Sequence, residues 1–171
     1  MATPVFLNTL ERTGLSTWIR ETESVFGYYF VLVFHNIGLA LLVGSCAVIA
    51  FRLLGFVPQL PLRPLRRLFL FVWIGFWLNV VSGIFLLIAY PTKALTNPIF
   101  YLKLTLIGVG IVLAGKIRVY VTGGTVGATD SAPSALRRLA TVSLLVWVAV
   151  ITTGRLLAYT CSRLTVDTSC Q

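Results

Sequence analysis

The chain has 171 residues, 57% of them apolar and 11% charged, with 14 Lys and Arg against five Asp and Glu. Soluble domains carry about 25% charged residues, and a mean hydropathy of +0.92 leaves more apolar surface than a water-facing globule hides. Lipid must therefore be the solvent for most of the chain. The net charge of +9 does not mark a nucleic-acid binder, because the basic residues form no continuous patch and sit at the ends of apolar runs, as membrane insertion leaves them.

Residues 1–24 are mixed polar, with Glu11, Arg12, Arg20, Glu21 and Glu23 and no separate apolar signal region. The first membrane span is expected to serve as the targeting signal. Phe6, Leu7, Leu10, Trp18 and Ile19 recur at helical spacing beside charged positions, which predicts an amphipathic helix over 6–22 lying in the outer interface.

Residues 24–51 contain no Lys, Arg, Asp or Glu. About 20 residues cross the hydrocarbon core, so a first span is placed at 25–52. Arg52 at its edge is counted with Arg63, Arg66 and Arg67 in the connection that follows, where Pro58, Pro61 and Pro64 predict a stiff, extended chain. A second span is placed at 68–90. The third, 98–120, is interrupted by Lys103 and closes near Lys116 and Arg118. Residues 122–135 are rich in Gly, Ser, Thr and Ala and read as a flexible cytoplasmic loop. A fourth span at 139–160 is interrupted by Arg155, and 161–171 form a tail. Runs this long pair their backbone groups as helices rather than as barrel strands.

The strongly basic connections after spans one and three belong in the cytoplasm. The expected fold is thus an all-α, antiparallel four-helix transmembrane bundle in a single domain, with both termini outside a bacterial inner membrane. Cys161 and Cys170 then share an oxidising compartment, where a disulfide is expected; two free thiols or a metal pair are the alternatives. Cys46, inside the first span, reads as a small buried apolar residue.

Four polar residues fall inside the spans: His35, Asn79, Lys103 and Arg155. Such groups are costly in lipid and mark a site or a packing need. Lys103 and Arg155 are near enough to the outer surface to reach headgroups. Asn79 stands between Gly75 and Gly83, a stripe that lets another helix approach and the amide bond across it. His35 is the chain's single histidine. It either hydrogen-bonds to a neighbouring helix or ligates haem iron, another metal or a pigment, with Lys103 and Arg155 placed for propionates. A second axial histidine would have to come from a partner or a second copy. No Asp or Glu lies inside a span, so neither hydrolytic catalysis nor a proton-driven transport path is indicated.

Residues 35–44 (HNIGLALLVG), 97–104 (NPIFYLKL), 154–159 (GRLLAY) and Ser82-Gly83 together resemble an uncharacterised family of small bacterial four-helix inner-membrane proteins. The opening of the third span also resembles the copper-resistance D (copper export) domain. The first resemblance implies the fold and the membrane, and draws attention to His35, Lys103 and Arg155. The second implies copper export.

The expected function is a non-catalytic accessory subunit of a larger redox complex. Haem b on His35 is the cofactor considered first, with Lys103, Arg155 and Asn79 around it; bound lipid, quinone, a pigment or no cofactor are the alternatives. The expected partners are membrane lipids and other membrane subunits or a second copy, and not nucleic acid. A small export component and a purely structural assembly subunit are the alternative functions.

Overall fold

The computed structural model describes residues 27–123 and 133–159, and only the backbone of 62–64, 92, 93, 158 and 159. The expected helix over 6–22 and the Cys161–Cys170 pair lie outside the described residues, as does most of the expected loop at 122–135. Among the described residues there are five helices: α1 (Gly27–Leu54), α2 (Leu62–Ala89), the short α3 (Pro91–Leu95), α4 (Pro98–Thr122) and α5 (Ser134–Tyr159). All but α3 are long and apolar enough to cross a bilayer. A helix of 28 residues such as α1 is about 42 Å long, more than the hydrocarbon core requires.

The helices stop where local chemistry stops them. Gly55 has φ +90°, the left-handed conformation that glycine adopts without strain. Its N–H donates to the Arg52 carbonyl (3.2 Å) and that of Phe56 to the Phe51 carbonyl (3.0 Å), with the Phe51 and Phe56 rings 5.9 Å apart. These are the two bonds and the apolar contact of a Schellman motif. Arg52 therefore belongs to the last turn of α1, not to the loop. It is buried, and its Nε donates to the Leu60 carbonyl at 2.7 Å.

The stiff connection is also shorter than three prolines suggest. Pro64 lies in the first turn of α2, where a missing N–H costs nothing. At the start of α4, Asn97 accepts from the Ile99 N–H at 3.0 Å with Pro98 in the first turn, a side-chain cap.

α1 packs most extensively on α2, α4 on α5, and α1 on α5, whereas α2 and α4 barely touch. One buried cluster joins Ile49 and Leu53, Leu65 and Phe69, Ile117, and Leu136. It thus gathers the end of α1, the start of α2, the end of α4 and the start of α5. A second joins Leu42, Cys46, Val72, Ala114, Trp147 and Val150. Cys46 is a free, buried thiol. Trp147 is 1% exposed and seats its ring against Gly110, where a Cβ would come within 2.9 Å of it.

Basic side chains close the helix ends. Arg66 Nη2 donates to the Thr122 carbonyl (3.2 Å), and Arg137 Nη2 to the Leu54 carbonyl (3.3 Å). Each places positive charge on carbonyls that have no partner within their own helix. Hydroxyls inside the spans bond back to their own helix: Thr105 to Tyr101, Thr152 to Val148 and Thr153 to Ala149. In lipid this is how an isolated hydroxyl is satisfied.

Candidate functional site

The site begins with two glycines. A Cβ at Gly75 would stand 2.6 Å from Leu42 N and 2.7 Å from the Gly38 carbonyl, and one at Gly38 would stand 3.0 Å from the Gly75 carbonyl. The backbones of α1 and α2 therefore touch, as small residues permit between helices in lipid.

That approach brings the next polar turns together. Asn79 Nδ2 donates to the His35 carbonyl at 3.2 Å. Its amide ties two backbones together, which is the packing use that the Gly75–Asn79–Gly83 stripe suggests. One turn further, His35 Nδ1 lies 3.0 Å from Ser82 Oγ. The half-buried imidazole lies over the bare backbone of Gly83, where a Cβ would be 3.6 Å from Cε1.

The Ser82 hydroxyl decides the tautomer. Its one proton is spent on the Leu78 carbonyl at 2.6 Å. Toward His35 it can only accept, so this pattern assigns the proton to Nδ1. With the proton on Nδ1, the ring's lone pair is on Nε2. An imidazole oriented through Nδ1–H with Nε2 open is the form in which histidine ligates a metal.

Lys103 comes from α4. Its stem runs past Gly154 of α5, where a Cβ would be 3.7 Å from Cε and 3.8 Å from Nζ. Lys103 and Gly154 meet at the same end of the bundle as His35. All four long helices thus contribute: His35, Asn79 with Ser82 and Gly83, Lys103, and Gly154. Arg155 is not drawn in; its side chain is exposed.

Ser82 is the residue that sequence reasoning did not single out as a site residue. Its signal is position: it lies three residues after Asn79, on the same face of an uncharged span. Among the described residues no three His, Cys, Asp or Glu side chains gather to enclose a metal ion. His35 is a lone donor.

A family model of unknown function, DUF6644, matches residues 11–160. The chain belongs to this family. The DUF6644 match takes in the four long helices and every residue of the His35 constellation, while Cys161 and Cys170 lie beyond it. No curated protein and no solved structure matches the chain. The comparisons show no similarity to the copper-resistance D domain. Membership in DUF6644 brings no activity with it, so the chemistry of the site has to carry the functional reading.

Proposed function

We propose that this chain is a non-catalytic subunit of a larger membrane redox complex, holding haem b through His35. The observation that carries the reading is the His35–Ser82 bond, which leaves Nε2 as a lone-pair donor inside the bundle. A lone protein donor suits haem, because the porphyrin supplies the other four nitrogens. A bare copper ion would need further ligands, and none gather with His35 among the described residues. Lys103 would meet a propionate. Bound haem would supply one-electron transfer; the protein's part is to orient the imidazole through Ser82 and to keep the site apolar. A second histidine donor, where the haem takes one, would have to come from a partner subunit or a second copy, since His35 is the chain's single histidine.

The same reading places an antiparallel bundle in a bacterial inner membrane with both termini outside. Two observations support it. The pairs 35/82, 38/79 and 42/75 run in opposite senses along α1 and α2, as do 103/154 and 110/147 along α4 and α5. The basic ends, with Arg52, Arg66, Arg118 and Arg137, suit the cytoplasmic side. His35 then lies in the outer half.

A second reading, a structural assembly subunit, is favoured by the other half of the same bond: Nδ1–H on Ser82 also pins α1 to α2. The absorption spectrum separates the two. Protein purified from cells supplied with haem precursor is expected to show a Soret band that His35→Ala abolishes. A colourless protein at full haem supply overturns the haem reading, and its co-purification with partner subunits would then leave the structural one.

A further inference from the structure

A groove of 240 Å³ runs between α2 and α4, at the opposite end of the bundle from His35. It exists because these two helices are held by other neighbours and barely meet each other. Val72 and Trp73 form one wall and Ile111 and Gly115 the other, with Arg118 and Thr122 at its end. A Cβ at Gly115 would meet nothing within 4 Å, so its missing side chain is empty groove rather than a packing contact. The volume falls below the roughly 300–1,000 Å³ of sites for whole small molecules, and suits a length of hydrocarbon chain.

The end of the groove is cationic. Arg118 lines it and is exposed. Arg66 reaches across from α2, placing Nη2 on the Thr122 carbonyl and leaving other N–H groups of its guanidinium unspent. The acidic residues of the chain are Glu11, Glu21, Glu23, Asp130 and Asp167, and all lie outside the described residues. Among the described residues, therefore, no carboxylate answers these guanidiniums.

We propose that this groove binds one acyl chain of an anionic phospholipid, with the lipid phosphate on Arg118 and Arg66. An apolar cleft facing lipid, with Arg118 at its end and Arg66 on the adjoining Thr122 carbonyl, matches that amphiphile in both shape and charge. Arginine forks onto phosphate oxygens, and juxtamembrane cations attract anionic lipid from the bilayer surface. The proposal is independent of haem and of the bundle's orientation.

The test is thermal unfolding of the detergent-purified full chain, titrated separately with phosphatidylglycerol, phosphatidylcholine and inorganic phosphate. Phosphatidylglycerol is expected to raise Tm in a saturable way; phosphatidylcholine and phosphate are not. Arg118→Gln with Arg66→Gln should weaken the phosphatidylglycerol effect roughly tenfold or more. Gly115→Leu should abolish it by filling the groove, while its lipid-free Tm stays at or above the parent's, since leucine favours helix over glycine. Equal stabilisation by phosphatidylcholine or by phosphate alone overturns the proposal. So does a Gly115→Leu protein that still responds to phosphatidylglycerol. A change from dimer to monomer in that variant would identify a second copy as the occupant and would also overturn it.

Discussion

The two ends of the bundle handle polar groups in lipid differently. At the arginine end, side chains spend donors on backbone carbonyls: Arg52 on Leu60, Arg66 on Thr122 and Arg137 on Leu54. Beside them the four long helices meet in a dry apolar cluster. At the histidine end, the helices meet around polar groups instead. Asn79, Ser82 and Thr153 are satisfied by nearby backbone, whereas His35 meets the Ser82 side chain through Nδ1, the arrangement that leaves its lone pair on Nε2. The arginine end holds most of the positive charge, and two of its arginines, Arg66 and Arg137, finish helices. The histidine end has little charge and one imidazole lone pair.

The largest effect that separates the ends comes from two glycines. Gly75→Leu puts a side chain into the backbone of α1, where even a Cβ would be 2.6 Å from Leu42 N. Backbone cannot yield as a side-chain tip does, so α1 and α2 must part. The expected cost is about 3 kcal/mol or more, at or above the usual range for overpacking, and is read as a large fall in Tm by circular dichroism in detergent. Gly115→Leu, in open space between α2 and α4, should leave Tm unchanged or raise it. If the two variants behave alike, the close approach of α1 and α2 is not what holds the histidine end together.

The four spans could be read from the sequence because lipid imposes a simple rule: about 20 residues without charge. Their ends could not be read so easily. Arg52 looks like a loop residue by charge, but the left-handed Gly55 and the Leu60 carbonyl keep it inside α1. Pro64 looks like a loop residue by type, but the first turn of α2 tolerates it. The short α3 has five residues, too few to show a period. Asn79 could be read as a cross-helix donor, because the flanking glycines announce a close approach. The partner of His35 could not, because Ser82 faces it only in the register that Gly38 and Gly75 set. Lys103 and Arg155 looked equivalent by depth. Helix rotation separates them, turning Lys103 onto Gly154 and leaving Arg155 exposed. The groove could not be read either, since it is a gap left by which helices pair.

Ser82→Ala probes the histidine end more finely. It removes the acceptor from Nδ1 without opening the backbone contact at Gly38 and Gly75. Hydrogen bonds between helices in membranes are worth about 0.6 kcal/mol on average and at most about 1.7, so a modest loss of stability is expected. The decisive readout is the tautomer. Nitrogen NMR of labelled His35 should show Nδ1–H in the parent and a mixture of tautomers in Ser82→Ala. A parent already mixed would mean that Ser82 does not orient the ring, and the haem reading of the histidine end would lose the bond that carries it.

The smallest effect belongs to Arg137→Gln. Arg137 is exposed, and its bond to the Leu54 carbonyl is long, at 3.3 Å. Arg52 makes the same kind of bond at 2.7 Å from a buried position. A carbonyl at an exposed helix end keeps access to water or headgroups when its arginine is removed, so little desolvation cost remains. Glutamine also retains a donor. Exposed substitutions of this kind usually stay within about 0.5 kcal/mol, and the Tm of Arg137→Gln should match the parent's within error. A clear loss would mean that the bridge from α5 to the end of α1 is structural despite its exposure. The arginine end would then depend on specific bonds as the histidine end does, rather than on cations that lipid and water can replace.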